Sequence, residues 1–206
     1  VLALPDDDLL SAVATLANAD VSGLVLAHLS GSASTTTLQR AAGIPVGRLH
    51  PLAVLDGCTP IPEQTMMACT ALEPSLRLTL HALAHALGLQ LFDLDDDNRI
   101  AYHLAASIVA NLSIALLDWG CALLQEAGVD EDRARVALSD LLKGTAEKTS
   151  RMPLPAAMTG PVARGDVQTV AAHLGHCATH PTGDLDSAYR LLSTHLLAIL
   201  GTKSAK

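Results

Sequence analysis

Residues 102–111 read YHLAASIVAN, and residues 159–166 read TGPVARGD. The first stretch decides the fold. It is an apolar helical run in which His103, Ser107 and Asn111 recur every fourth residue. That spacing puts all three on one helix face, each about 6 Å further along the axis. Polar groups on an apolar helix cost free energy unless a partner or a ligand satisfies them. The second stretch packs Arg164, Asp166 and two glycines into the approach to another helix.

Upstream of residue 95 the pattern alternates between short apolar runs and helical spacings. Residues 1–4 read as a strand ending at Pro5, with Asp6, Asp7 and Asp8 capping a helix over 7–18. A second strand over 23–27 leads into HLSG at 28–31. A helix over 35–42 is followed by a third strand over 44–49, ending in His50-Pro51. After a Pro-rich connection, 65–72 reads as a strand, 74–87 as a helix and 90–94 as the last strand. Strand–helix–strand spacing of this kind predicts a parallel sheet. Downstream the chain reads as all-helical. Asp95, Asp96 and Asp97 cap one long helix reaching about residue 127, where Gly128 stops it, and further helices fit 130–149, 166–178 and 185–200. The expected class is therefore α/β plus all-α: an incomplete Rossmann-like parallel sheet over 1–95, then a helical domain over 96–206 used for substrate binding and dimerisation.

Composition narrows the function. Of 206 residues half are hydrophobic and only 2% aromatic, so the core is Leu, Ala and Val, as in packed helices. The net charge is −8 and no Lys/Arg cluster exists, which argues against nucleic acid, whose phosphates want a basic stripe. Four separated cysteines with no CxxC indicate reduced thiols in a cytoplasm. VLALPDDDLL lacks the basic start and long apolar stretch of a signal peptide. The greasiest run, 104–117, falls short of the roughly 18 apolar residues of a membrane span and contains Asn111, so it reads as a buried central helix.

In open parallel sheets ligands sit at the carboxyl ends of strands. Asp6, His28, Ser30 and His50 should then share one rim, and the long helix should offer His103, Ser107 and Asn111 to the same cleft. Each has a plainer reading. The aspartates are a helix cap, Ser30-Gly31 is turn chemistry, and His28 and His50 are structural histidines. His81 and His85 (HALAH) have the spacing of a zincin pair. Ala82 stands where the water-activating Glu belongs, which excludes a metalloprotease. His173, His176 and His180, with Cys177 among them, read as decoration of a helix face, and no metal is expected.

Taken together, HLSG, RLHPL (48–52), YHLAASIVAN and TGPVARGD resemble an uncharacterised family of Rossmann-like oxidoreductases. Its helical second domain is similar to the C-terminal domain of 6-phosphogluconate dehydrogenase. Ketopantoate reductase and pyrroline-5-carboxylate reductase are distant relatives. The resemblance implies an NAD(P)-dependent enzyme acting on a small carbonyl, imine or hydroxy substrate. Long Ala/Leu-rich helices expose more apolar surface than so small a domain buries, which predicts a homodimer through the helical domain, and no membrane partner is expected. It implies that Pro5, Asp6, His28, Ser30, Gly31 and His50 flank the NADP or NAD cofactor. In the better-known cousins a Lys, followed four residues later by an Asn, holds the substrate. Asn111 matches that Asn, but Ser107 stands in the place of the Lys. His103, one turn earlier, is then the natural acid/base. Arg164, flanked by Thr159 and Asp166, would hold a carboxylate or phosphate, while Asp166 tethers Arg164 or caps the next helix. No GxGxxG occurs anywhere. On the family pattern the chain would start at the fourth strand, without the phosphate cradle and with an open sheet edge for a partner or further strands to cover. The alternative reading is a non-catalytic dimeric small-ligand-binding protein with a degenerate nucleotide domain.

Overall fold

A computed structural model describes residues 1–19, 23–181 and 183–201. The chain divides into two compact units, Val1–Ser113 and Ile114–Lys206.

The first unit contains α1 (Asp6–Ala17), β1 (Leu26–His28), α2 (Thr35–Ala42), β2 (Val46–Pro51), β3 (Met66–Ala71), α3 (Pro74–Ala86), β4 (Gln90–Asp93) and α4 (Arg99–Ala110). The four strands form one sheet in the order β1-β2-β3-β4. This is the expected incomplete Rossmann-like α/β layer, but the sheet is mixed and not parallel throughout. β1 and β2 run parallel, as do β3 and β4, whereas β2 and β3 run antiparallel. The reason lies in residues 52–65. A helix joins each parallel pair, but Pro60 and Pro62 keep this connection irregular, and a strand that returns without a crossover helix returns antiparallel. Residues 1–4 contribute one isolated parallel bridge, Leu2 to His28.

Alternation sorts the side chains onto two faces. Val46 packs with Leu26, with Leu9 and Val13 of α1 and with Leu38 and Ala42 of α2. Ala27, Leu49, Met67, Cys69 and Ala71 face Leu76 and Leu80 of α3. Burying each such leucine contributes roughly 1.5–3 kcal/mol. Gly47 lets α3 approach, because a Cβ there would stand 2.6 Å from Leu80 Cδ1.

Two expected caps do other work. Asp6 leaves α1 without a side-chain cap and instead accepts a bond from the Ser32 hydroxyl. Asp96 reaches across to α2, where it accepts from Ser34 Oγ (2.8 Å), Thr35 N (3.0 Å) and Thr36 N (3.2 Å). It thus satisfies amides that the start of a helix leaves open. A 3-10 turn over Asp96–Asn98 leads into α4.

The long central helix is two helices, α4 and α5 (Leu112–Glu126), meeting at Asn111. Ser113 Oγ donates to the Ala110 carbonyl at 2.8 Å, competing with the helical ladder at the junction. Neither helix contains a buried residue, so the expectation of a buried central helix does not hold. Leu104, Ile108 and Ile114 are each more than half exposed. By length and composition the 31 residues Asp96–Glu126 reach what a membrane span requires, with mean hydropathy 1.8 in the most apolar window. The shorter run read from the sequence did not.

The second unit is helical: α6 (Glu131–Arg151), α7 (Leu154–Ala157), α8 (Pro161–Arg164), α9 (Val167–Cys177) and α10 (Leu185–Gly201). Gly128, at φ 86°, ends α5 as expected. Asp130 caps α6 through Arg133 N at 3.1 Å. α10 packs on α7, α8 and α9.

Candidate active site

Three elements of the first unit meet at the rim where β1 and β2 end. His28 closes β1, and Ser30 and Gly31 follow it. Ser30 Oγ accepts from Ser32 N (3.2 Å) and Ala33 N (2.9 Å), which folds the loop tightly toward α2. His50 stands near the end of β2, and α4 brings Tyr102 and His103 over both. The His50 and His103 rings lie edge to face, 6.2 Å between centroids. A Cβ on Gly31 would stand 2.6 Å from His103 Nδ1 and 2.9 Å from His50 Nε2. Glycine is required here by space and not by backbone angle. Asp6 joins the same group through Ser32. Asp6, His28, Ser30, Gly31, His50 and His103 are therefore neighbours, as the strand-end argument expected. Pro5 is the exposed residue preceding α1.

The hydrogen bonds assign a proton pattern. Tyr102 OH donates to the His50 carbonyl at 3.2 Å, and His50 Nδ1 lies 2.6 Å from the same hydroxyl oxygen. With the phenol proton directed to the carbonyl, Nδ1–H of His50 donates to the phenol. That leaves the lone pair on Nε2, the nitrogen turned to Gly31. Burial pushes Tyr102 up to about 12, so it stays a phenol. Burial also lowers His50, helped by His103 and Arg48, which keeps its ring neutral. His28 is fully buried, shares a 3.2 Å bond between Nε2 and Thr35 Oγ1, and is pushed down to about 4 by burial and by Arg48. Burial works to raise Asp6, but bonds from Ser32 and Ser30 and the charges of His103 and His28 outweigh it and hold the carboxyl low. His103 Nδ1 is buried and has no protein partner.

His50, Tyr102, His103, Ser107 and Asn111 line one groove of about 630 Å³, closed by Leu52, Val54 and Leu55 of the connection and by Ala106, Val109 and Ala110 of α4. The polar stripe read from the sequence therefore faces a groove. Ser107 Oγ donates to Asn111 Oδ1 at 3.2 Å, which leaves the carboxamide NH2 of Asn111 for other partners.

The remaining expected residues belong to the second unit. Asp166 caps α9, its Oδ1 accepting from Thr169 N (3.1 Å) and its Oδ2 from Thr169 Oγ1 (2.7 Å). Of the two roles expected for it, the cap is the one observed. Arg164 is exposed at the end of α8, and Thr159 borders a separate groove with Lys148 and Thr149. His173 contacts the Tyr189 hydroxyl (2.8 Å), and His176 and His180 pair with Glu126 (3.1 and 2.9 Å).

Three residues at the rim escaped the sequence reading. Tyr102 precedes His103 in the quoted helix, and its signal was rarity, since the chain has two tyrosines. Arg48 is fully buried between His28 and Thr70 in register; Nη2 donates to Thr70 Oγ1 at 2.5 Å, while Nε and Nη1 have no partner. Its signal was alternation, two residues before His50. Asp96 reads from sequence as a cap of its own helix. Its pull on Arg48 crosses 48 positions of sequence and left no local trace.

The family described as a domain of unknown function (DUF2520) matches residues 65–196, more than half of the chain. None of the curated proteins matches. Among solved structures, protein TM1727 from Thermotoga maritima superposes with TM-score 0.82 at 23% identity, over 98% of this chain and 78% of that one. A Bacteroides fragilis protein provisionally assigned as an NADP oxidoreductase gives 0.75 at 21%, over 94% and 73%. A pyrroline carboxylate reductase from Plasmodium falciparum, with NADP bound, gives 0.58 at 7%, over 97% and 78%. These likenesses establish the fold, a Rossmann-like α/β layer with a helical C-terminal part.

Proposed function

Since the chain belongs to the family of unknown function DUF2520, we propose that it acts as an NAD(P)-dependent oxidoreductase on a small carbonyl, imine or hydroxy substrate, at the rim built by His50, Tyr102 and His103. The observation that carries this reading is the convergence of two imidazoles on Gly31, one with a buried unpartnered nitrogen, beside a groove that Asn111 also lines. The NADP oxidoreductase and NADP-bound reductase among its structural neighbours support it.

The residues present fit one end of such a cofactor. His50, His103, Gly31 and Ser30 suit an uncharged nicotinamide ring and its carboxamide. The diphosphate finds no matching place on the helices nearby. Asp6, Asp7 and Asp8 fill the first turn of α1, and the Asp96 carboxylate occupies the amides of α2 where a phosphate would bind. A bound nicotinamide dinucleotide supplies or accepts the hydride. The protein's own part is to hold the substrate oxygen or nitrogen by Asn111 and to move a proton at the imidazoles. Neutral His50 accepts at Nε2, and its phenol contact fixes the tautomer. Arg164 and Thr159 serve a substrate anion. The test is NADPH consumption across small 2-oxo acids and cyclic imines by the natural gene product. His103→Gln should lower turnover 10²-fold or more with the fold intact by circular dichroism. Equal turnover in the variant would refute the role of His103.

A second reading is a non-catalytic, dimeric small-ligand-binding protein with a degenerate nucleotide domain. The carboxylates on α1 and α2, and Ser107 in place of a lysine, favour it. Under both readings we place the protein in the cytoplasm, with neither nucleic acid nor membrane as partner. A second copy would then cover the exposed apolar residues of α4 and α5, because so much apolar surface is costly in water. Sedimentation should give a dimer that Ile114→Glu dissociates. A monomer that partitions into lipid vesicles would contradict this.

A further inference from the structure

We propose that Cys69, His81 and Asp93 form a binding site for one borderline-soft divalent cation, with Zn²⁺ the ion that this sulfur, nitrogen and oxygen set favours. The three residues come from three elements. Cys69 of β3 and Asp93 of β4 are direct partners across the parallel strands. His81 comes from α3, which packs over both. Their ligand atoms all lie within 4.8 Å of one another, and His81 Nε2 stands 2.9 Å from Asp93 Oδ1. Around a tetrahedral zinc, donors at about 2.0–2.3 Å from the ion are roughly 3.5 Å apart. Closing the site therefore takes shifts on the order of 1 Å. The half-exposed His81 and Asp93 side chains are free to make them, while burial holds Cys69 in place.

The chemistry of the donors fits. Burial, and next the Asp93 charge, pushes the Cys69 thiol up to about 11, so without a metal it keeps its proton and is inert. On binding, the ion takes the thiolate and the proton leaves to solvent. A thiolate with an imidazole and a carboxylate selects zinc over magnesium or calcium, which prefer oxygen alone. The exposed side of the site leaves the fourth position to water. Cys69 lies on the sheet face opposite the Arg48–Thr70 row, because adjacent residues of a strand point to opposite faces. The ion would therefore not meet the rim histidines; it would pin α3 to β3 and β4. Sequence spacing hides the site, since its members are 12 residues apart, no CxxC contains Cys69, and the HALAH spacing pairs His81 with His85 instead.

The test is titration of Co²⁺ and then Zn²⁺ into the reduced, chelator-treated protein. One Co²⁺ per chain should bind with a thiolate-to-cobalt charge-transfer band, and Zn²⁺ should displace it and raise the melting temperature. Cys69→Ser should abolish the band. His81→Gln and Asp93→Asn, at exposed side chains that tolerate change, should weaken binding at least tenfold and remove the thermal shift. No band in the wild-type protein, or an equal band in Cys69→Ser arising from Cys58, Cys121 or Cys177, would overturn the proposal, as would unchanged affinity in both exposed-site variants.

Discussion

The imidazole of His50 and the hydroxyl of Tyr102 lie 2.6 Å apart, and the same hydroxyl reaches the His50 carbonyl at 3.2 Å. One phenol thereby ties the end of β2 to the start of α4 and fixes which His50 nitrogen carries the proton. The ring also meets Phe92 of β4 edge to face at 5.9 Å.

Tyr102→Phe keeps that ring contact and removes both bonds. It should cost about 1–2 kcal/mol, read by urea unfolding, because a buried imidazole nitrogen and a carbonyl lose their partner. It should also free His50 to exchange tautomers, which the ¹⁵N shifts of its ring would report. Unchanged shifts would mean that the phenol does not set the proton.

Gly31→Ala puts a methyl group where His103 Nδ1 and His50 Nε2 already stand. Overpacking of this kind costs roughly 1–3 kcal/mol. The imidazole resonances of both histidines should shift together in NMR spectra. A neutral substitution would show that the two rings do not close on this glycine.

Burial and the Arg48 charge push His28 down to about 4, against 6.5 for an ordinary histidine. The folded state then prefers the neutral ring. The stability gained is complete above pH 6.5 and is lost as pH falls toward 4, because the unfolded chain takes up the proton first. The difference is worth roughly 3 kcal/mol. Urea unfolding between pH 7.5 and 4.5 should show this decline, and His28→Gln should flatten it.

Asp96 closes the amino end of α2 from 60 residues away in sequence. Its carboxyl is held below the ordinary carboxylate range. Burial works against this, and the bonds from Ser34 and the amides of Thr36 and Thr35 outweigh it. Its contribution is present above pH 4 and is lost as the pH falls further. Asp96→Ala should destabilise the fold by about 1 kcal/mol at neutral pH. Hydrogen exchange should quicken at Thr35 and Thr36 and stay unchanged in α9.

Much of this arrangement was legible in residue order. Of the five strands that the apolar runs suggested, four are present and residues 1–4 make only an isolated bridge, while the four-residue steps of His103, Ser107 and Asn111 gave a polar face that does line a groove. What escaped depends on contacts distant in sequence. The antiparallel turn of β3 follows from the absence of a helix in 52–65, a negative signal that spacing alone does not weigh. Asp96 looked like a local cap because its neighbours in sequence are acidic, yet it serves a helix 60 residues earlier. The apolar face of α4 read as core because hydrophobicity does not say which surface will cover it. Arg48 sits within a quoted motif, but a charge in a strand reads as solvent-facing until the sheet closes over it.

The central claim is that a nicotinamide ring sits at the rim between His50 and His103. The most direct measurement is titration of NADPH into the natural gene product, followed by nicotinamide fluorescence, with His103→Gln in parallel. The account predicts a saturable fluorescence change in the wild-type protein and clearly weaker binding in the variant. No change in the wild-type protein at saturating NADPH, or identical curves for both, would contradict it.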